Sequence, residues 1–322
     1  MPLKMVGGGS RVLEKNVAKS IFACYHASWL VGISCTFSLF LAKGLESPSG
    51  GNAVLKGERF VAELPRERTA LRMVNIEKYF GSVCALKNIN FEVGHNEIVG
   101  LIGDNGAGKS TLVKILTGVF PPTSGDLYIA DRKVETGSYS VKKAHALGIE
   151  TVYQDKSLGE KQAMWRNFFI GREITYPFGF LKVKEEKLVA TEIMVNTIGF
   201  RGKGIGVDSK ASKLSGGEHQ GVAIGRAMHF EADLIILDEP TVALSLKEVR
   251  KVLNFVHKIK EAGKASIYIS HNITDVYEIS DRFIVIDRGE IVASIVKADI
   301  SLKELDEFLL EYSHGLKDKV QP

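Results

Sequence analysis

From residue 71 onward, hydrophobic and polar positions follow the periods of strands and helices. The stretches LRMVNIEKYF and NINFEV alternate, which predicts two antiparallel strands joined by a turn at FGS. Three short apolar runs, EIVGLIG, ADLIILDE and ASIYIS, are typical of strands buried on both faces. Helical spacing follows in KSTLVKILTGV, which ends before Pro121-Pro122, and in SLKEVRKVLNFVHKIKEAG, which ends at Gly263.

The rest of this region continues the alternation. Helices are predicted at 142–147 and 184–198, a hairpin with an Arg-Gly turn in ISDRFIVIDRGEIVASI, and a last helix in SLKELDEFLLEY. Strands that alternate with helices favour an α/β fold, a sheet covered by a layer of helices. We find no internal repeat.

The first 70 residues do not show this alternation of strand and helix patterns. Two Gly/Ser-rich linkers, MVGGGS and SPSGGN, enclose an apolar stretch at 21–42 that has no formal charge and is long enough to span a bilayer. Lys15, Lys19 and Lys43 flank it. Three interpretations compete: a membrane anchor, a signal-like segment that lacks a clear A-x-A cleavage site, and an extension without an organised role, such as a misplaced start. We adopt the third.

Composition and charge narrow the class of protein. The chain has 322 residues, 45% of them hydrophobic and 25% charged, as in ordinary soluble globular proteins. Its net charge of +4 lies within the first 71 residues, so the remainder is neutral and we expect no nucleic-acid partner. Cys24, Cys35 and Cys84 show no CxxC spacing, which favours a reducing, cytosolic setting.

A glycine-rich motif, GDNGAGKST, lies between a predicted strand and a predicted helix. It fits the phosphate-binding pattern G-x-x-x-x-G-K-[ST] in the context that this pattern requires. Its glycines let the backbone approach phosphates, Lys109 would reach the β- and γ-phosphates, and Ser110 would ligate Mg²⁺. The predicted nucleotide-binding residues here are Gly103, Asn105, Gly106, Gly108, Lys109, Ser110 and Thr111.

Four further polar residues follow apolar strands, at the edge of the sheet where open α/β folds bind ligands. In LIILDE, Asp238 would hold Mg²⁺ opposite Ser110, and Glu239 would polarise the attacking water. Gln154 in TVYQD can orient water or Mg²⁺, and His271 in YISHN can contact the γ-phosphate. These residues predict hydrolysis of a nucleoside triphosphate.

A second phosphate-binding element is predicted at 214–228, LSGGEHQGVAIGRAM. Ser215, Gly216 and Gly217 have the composition of a helix start whose backbone N–H groups lie bare, which suits an anion. The chain therefore contains two such elements, about a hundred residues apart.

The order of these motifs resembles the ATP-binding cassette (ABC) ATPases over residues 71–300. It runs from Phe80 through GDNGAGKS, Gln154, LSGGEHQ and LIILDEPT to His271. The resemblance implies a P-loop NTPase core with a mostly parallel sheet, an antiparallel β-subdomain, and a helical signature subdomain at about 155–228. Residues 301–322 would form a C-terminal helix and tail.

The resemblance also implies how the two elements are used. Two cassettes would meet head to tail, so that Ser215, Gly216, Gly217 and Glu218 of one bind the γ-phosphate of ATP held by the other. Phe80 would stack on adenine, with Tyr79 as the alternative. Lys109, Glu239, His271 and Gln154 would act in catalysis, with Ser110, Gln154 and Asp238 around Mg²⁺.

Finer similarity points to bacterial and archaeal importers of monosaccharides such as ribose, xylose and fructose. It lies in residues 152–173, in LSGGEHQGVAIGRAM and in LDEPTVALSLKE. It implies permease subunits contacted by Gln154 and residues 155–173, an extracellular sugar-binding protein that acts through the permease, and a peripheral position on the cytoplasmic face of the membrane. Since the chain has one cassette, it would need a second, most simply as a homodimer.

Three departures from the family pattern stand out. Ser245 replaces an Asp that many members carry, although sugar-importer cassettes often lack it. Gly221 and Gly225 occupy positions where alanine is commoner, and each would cost about 0.5–1 kcal/mol of helix stability. They put the rigidity of the signature helix in question.

Other functions stay open at this point. The cassette could serve an importer of another small solute. A translation or repair factor would be expected to carry two cassettes or a long coiled-coil insert, and neither occurs here. A non-catalytic regulatory cassette is disfavoured because Lys109, Asp238, Glu239 and His271 are all present.

Overall fold

The computed structural model describes residues 69–153, 158–199 and 204–315. Its strands are β1 (Thr69–Phe80), β2 (Val83–Gly94), β3 (Ile98–Ile102), β4 (Ser124–Ile129), β5 (Arg132–Val134), β6 (Ile149–Val152), β7 (Leu234–Asp238), β8 (Ala265–Ile269), β9 (Arg282–Asp287) and β10 (Glu290–Val296). Its α-helices are α1 (Lys109–Leu116), α2 (Val141–Ala146), α3 (Met164–Phe169), α4 (Val183–Glu192), α5 (Gly216–His229), α6 (Leu246–Glu261), α7 (Ile273–Ile279) and α8 (Leu302–Gly315).

These strands form two sheets. The larger has the order β10-β9-β3-β8-β7-β6 and is parallel except for the β9–β10 hairpin, whereas the smaller, β2-β1-β4-β5, is antiparallel. β3 and β8 are buried at every residue, as their continuous apolar runs predict. The predicted mostly parallel sheet and antiparallel unit are therefore confirmed.

Three groups of buried side chains hold the fold together. One lies between the small sheet and one face of the large sheet, around Leu71, Ile89 and Leu112. A second packs α5, α6 and α7 against the other face, around Ile235 and Phe283. The third belongs to the helical region and consists of Leu158, Met164, Trp165, Phe168, Phe169, Ala190, Ile193, Met194, Ala211 and Val222.

Some elements differ from the sequence prediction. β2 begins at Val83, five residues before NINFEV, because it pairs with β1 up to the turn after Phe80. The helix predicted at 184–198 is α-helical only to Glu192 and continues as a π-helical turn over Ile193–Ile198.

The apolar stretch at 21–42 lies outside the described residues. Within the part of the chain that the structure describes, no helix combines the length and apolar character needed to cross a membrane.

Candidate nucleotide-binding site

The glycine-rich loop between β3 and α1 folds around the Lys109 ammonium. Its Nζ donates to the carbonyl oxygens of Gly103, at 2.5 Å, and Asp104, at 2.9 Å. Gly108 has φ of +112°, and a Cβ there would lie 2.8 Å from Cδ2 of Leu86, so both conformation and space require glycine. Burial lowers the pKa of Lys109, although the Glu239 carboxylate opposes this.

Most of the predicted nucleotide-binding and catalytic residues line one cavity of about 490 Å³. Those that the structure brings together here are Asn105, Gly106, Gly108, Lys109, Ser110, Thr111, Asp238, Glu239 and His271. Gly103 lies beside it and contributes its carbonyl to Lys109. The common edge of the sheet accounts for the clustering, since β3, β7 and β8 run parallel and the residues follow their carboxyl ends.

Glu239 is held at the cavity in an uncommon backbone conformation. Its φ is +52°, and its amide donates to the Ile269 carbonyl at 2.9 Å, which extends the pairing of β7 with β8. His271 Nε2 lies 3.1 Å from Glu239 Oε1. Yet both carboxylate oxygens are buried and accept no well-aligned hydrogen bond from a described residue. Buried carboxylate oxygens need hydrogen-bond donors, and a water molecule can supply them here.

Asp238 ends β7 one residue before Glu239. Burial raises the pKa of its carboxyl group, and the Lys109 ammonium partly offsets this. A divalent cation would likewise offset the cost of burying the charged carboxylate. Ser110 and Asp238 offer a hydroxyl and a carboxylate oxygen on the wall of one cavity, the hard donors that Mg²⁺ takes together with phosphate oxygens. The residues present therefore fit a magnesium ion.

His271 follows β8 and precedes α7. Asn272 caps that helix, since its side-chain oxygen accepts from the amides of Thr274 and Asp275 at 3.1 and 3.4 Å. The His271 side chain is 49% exposed, which leaves it accessible from the cavity. Gln154, the remaining predicted catalytic residue, lies outside the described residues.

Phe80, predicted to stack on adenine, ends β1 beside the turn that leads to the cavity. Its ring packs edge-on against Phe120, with centroids 5.4 Å apart, and Lys78 Nζ lies 5.2 Å from its centroid. Phe80 and the alternative Tyr79 are both about half exposed. Neither lines the cavity wall, so stacking on adenine stays a prediction.

Sequence reasoning missed five cavity residues, two of which are Asp104 of the phosphate loop and Val83 of β2. Cys84 and Ala85 come from β2, and Arg288 comes from the β9–β10 turn. Gly289 holds this turn in place, because its amide donates to the Ala107 carbonyl and its carbonyl accepts from the Lys87 amide, both at 2.8 Å. The sequence indicated both turns, but it contained no signal that they meet at the phosphate loop.

The second predicted phosphate-binding element lies elsewhere. Ser215 caps α5 in a capping box with Glu218, and none of residues 215–218 lines the cavity. The expectation that its N–H groups lie bare is wrong for Ser215 and Gly217. The Ser215 amide donates to Glu218 Oε2 at 2.9 Å, and the Gly217 amide donates to Glu248 Oε1 at 3.3 Å. The Glu218 amide donates to Ser215 Oγ at 3.4 Å.

Comparison with known proteins decides the family. The ABC transporter family model matches residues 86–242. The xylose/arabinose import ATP-binding protein XylG of Sulfolobus acidocaldarius is 39% identical over 245 residues, which cover 76% of this chain and 95% of that protein. The chain belongs to the ABC transporter family. As an ABC cassette it binds and hydrolyses ATP, and the family resemblance inferred from its motifs is confirmed.

Other relatives of this ABC cassette differ in length. The ribose import ATP-binding protein RbsA 2 of Escherichia coli O157:H7 is 35% identical over 73% of this chain, but the match covers 45% of that protein. The chain thus spans about half the length of its ribose-import relatives.

Solved structures agree on the fold. A nucleotide-free ATP-binding cassette from an ABC transporter superposes with a TM-score of 0.64 at 25% identity and covers 74% of this chain and 95% of that one. A dimeric post-hydrolysis state of the cassette MJ0796, bound to ADP and Pi, gives 0.59 at 27% identity, over 70% and 98% of the two chains. The predicted P-loop NTPase fold is confirmed.

Proposed function

We propose that this cassette is the ATP-hydrolysing subunit of an importer for a simple sugar and that it works as a pair, on the cytoplasmic face of a membrane, with two permease subunits. One observation carries the proposal. The Ser215–Gly217 helix start lies outside the chain's own cavity, in a cassette that is 39% identical to a xylose/arabinose import ATP-binding protein. A predicted phosphate-binding element that lies outside its own cavity would be of use to a second copy.

In the paired state, the glycine-rich loop of one copy holds ATP and the α5 start of the other faces the γ-phosphate. Lys109, released from the Gly103 and Asp104 carbonyls, places its ammonium against the β- and γ-phosphates. Ser110 and Asp238 would hold Mg²⁺, which would neutralise phosphate charge, and Gln154 stays a predicted partner of this ion.

Glu239 orients the attacking water and takes its proton. Its buried oxygens accept no well-aligned hydrogen bond from the described residues, so that water can serve as their partner. His271, 3.1 Å from Glu239, places its imidazole where it can contact the γ-phosphate. These groups position and stabilise charge, which is the main demand of phosphoryl transfer.

Contact with the permease would be made by Gln154 and residues 155–173, in the helical region at about 155–228. A groove of about 220 Å³ there is lined by Gln162, Trp165, Arg166, Phe169, Ile170, Glu173, Leu181 and Glu186. Ile170 is half exposed at its rim. An apolar groove with charged edges suits an inserted helix of a partner protein. The separate cluster of buried side chains below it supports treating this region as a subdomain within a cassette of residues 71–300.

Purification of the tagged full chain from membranes tests the proposal. We expect permease subunits to co-purify, and the complex in proteoliposomes to couple ATP hydrolysis to uptake of xylose, arabinose or ribose when its extracellular sugar-binding protein is added. Uptake of a different solute would support the importer function but show that the substrate is not one of these sugars. Co-purification with ribosomal or DNA-bound proteins, without a permease, would refute it.

A further inference from the structure

The starts of helices α5 and α6 share one carboxylate, that of Glu248. Its Oε2 accepts from the Ser245 amide at 3.0 Å and from the Ser245 hydroxyl at 2.8 Å, which caps α6. Its Oε1 accepts from the Gly217 amide of α5 at 3.3 Å. These hydrogen bonds, led by those from Ser245, hold the pKa of Glu248 down at about 2. The group is therefore an anion throughout the physiological pH range.

Close packing accompanies this shared cap. A Cβ on Gly217 would lie 2.9 Å from Cβ of Glu248, and one on Gly216 would lie 2.4 Å from Cδ2 of Leu244. The two glycines therefore let the α5 start press against the segment that leads into α6. A shift of either helix start is transmitted to the other by direct contact.

That segment leads back to the catalytic carboxylate within a few residues. Between Glu239 and Ser245 the chain makes two tight turns, in which the amides of Val242 and Leu244 donate to the carbonyls of Glu239 and Thr241, both at 3.4 Å. Glu239 and Ala243 have φ of +52° and +59°. Left-handed residues in a short turn leave little freedom to absorb a displacement locally.

The Gly217 amide is thus a donor for which two anions compete, the Glu248 carboxylate and the γ-phosphate held by the partner. In the pair described above, the partner's γ-phosphate approaches the start of α5, where Glu248 already holds this N–H. One N–H cannot donate fully to both, and two anions at one helix start repel each other. The bond to Glu248 is long for a charged acceptor, so it is the weaker of the carboxylate's contacts.

We propose that Glu248 is a positioning residue that couples the two ATP sites of the pair. Phosphate arriving from the partner displaces its carboxylate from Gly217, and the change is passed through Ser245 and residues 241–244 to Glu239 of the same chain, which serves the other ATP. This coupling rests on the proposed pairing. Through it, ATP binding at one site prepares the other site for hydrolysis.

The test compares E248Q with E304Q in the full chain. Glu304 is a matched control, because it forms the same type of capping box with Ser301 at the start of α8, at 2.8 and 3.3 Å, and has a lowered pKa. We expect E248Q to be half-saturated at about threefold lower ATP, since one competing charge at a helix start is removed. Its Hill coefficient for ATPase should fall towards 1, while wild type and E304Q keep a value above 1.

Melting temperatures separate this role from a structural one. A cap alone would change the stability of E248Q and E304Q alike and leave the Hill coefficient unchanged. If E248Q does not fold, E248D replaces it. Aspartate keeps the charge and the Ser245 cap but is one methylene too short to reach Gly217 as well, so it should also lose cooperativity.

Two results would overturn the proposal, and they differ in meaning. If E239Q forms a dimer with ATP but E248Q matches E304Q in half-saturation and Hill coefficient, Glu248 has no coupling role and the pairing stands. If E239Q forms no dimer at saturating ATP, the pairing itself is refuted and the role of Glu248 with it.

Discussion

Gly221 of α5 lies directly against the ring of Phe255 of α6, so that a Cβ on Gly221 would be 2.6 Å from Cε2 and 3.0 Å from Cζ of that ring. Phe255 is buried and belongs to the cluster that packs these helices on the large sheet. The glycine that makes the signature helix unusual is thus a packing requirement between two helices. It brings α5 and α6 close together, and their starts share Glu248.

Gly221→Ala should destabilise the cassette. The added methyl group forces the Phe255 ring to move, at about 1–3 kcal/mol for overpacking, which exceeds the gain of about 0.5–1 kcal/mol in helix propensity. Thermal unfolding of the full chain measures it, with a fall of about 2–6 °C expected for a domain of this size.

Gly225→Ala is the matched control for Gly221→Ala. Its methyl group would lie 3.0 and 3.1 Å from Cγ1 and Cδ1 of Ile198 and 3.3 Å from Cγ2 of Ile193, aliphatic side-chain atoms that can give way by a few tenths of an ångström. We expect its melting temperature to lie within about 2 °C of wild type, because propensity and crowding nearly cancel. A Gly221→Ala variant as stable as Gly225→Ala would show that Phe255 does not set the requirement.

The sequence was sufficient wherever a local pattern determines the structure. The phosphate loop at 103–111 and the carboxylates after β7 are strand-end motifs, so their meeting at one sheet edge followed from the parallel order of strands. The late hairpin and the first antiparallel pair followed from alternation and turn residues.

What the sequence did not reveal depends on contacts distant along the chain. Arg288 reaches the cavity only because Gly289 bonds to Ala107 and Lys87, some two hundred residues earlier. Glu248 looks like an ordinary capping residue, and its second bond, to Gly217, needs two helix starts packed together. No periodicity or local motif encodes such a juxtaposition, which is fixed by tertiary packing.

Glu239→Gln should abolish turnover while ATP binding is kept. The amide preserves shape but cannot accept a proton, and loss of a general base typically costs about 10²–10⁴-fold in rate. ATPase rates and ATP binding of the purified chain measure the two effects. Glu231→Gln is the control, because Glu231 is an exposed glutamate with the same left-handed backbone, φ +54°. Undiminished turnover of Glu239→Gln would remove its assigned role.

Asp238→Asn should stabilise the nucleotide-free chain at neutral pH and remove its response to Mg-ATP. Burial raises the pKa of Asp238, so the folded state holds this proton more tightly than the unfolded state. The stability gained from that proton is present below the ordinary Asp pKa of about 3.9 and is lost as the pH rises through the raised pKa. Asparagine avoids that loss.

Melting curves of Asp238→Asn and wild type at several pH values follow this linkage. The advantage of asparagine should be largest above pH 7 and shrink towards pH 4. Wild type should gain about 2.7 kcal/mol from ligand at one hundred times its Kd, and Asp238→Asn much less. Asp299→Asn, at an exposed position, should show neither effect. A pH-independent difference between Asp238→Asn and wild type would argue against a buried ionised carboxylate.

Cys84 provides a direct probe of the cavity. Among the described residues Cys84 forms no disulfide, and it is exposed on the cavity wall beside the phosphate loop. In a Cys24→Ser, Cys35→Ser background, Mg-ATP at about one hundred times its Kd should slow alkylation of Cys84 by a maleimide at least about tenfold, since only about 1% of sites are then empty. Quenched time points analysed by intact-mass spectrometry give the rate.

The control is a cysteine at exposed Val141, away from the cavity, in a background that also lacks Cys84. It should react equally fast with and without Mg-ATP. Equal alkylation of Cys84 in both conditions would mean that ATP does not occupy the wall formed by β2, and that the nucleotide site must be reassigned to the opposite side of the loop.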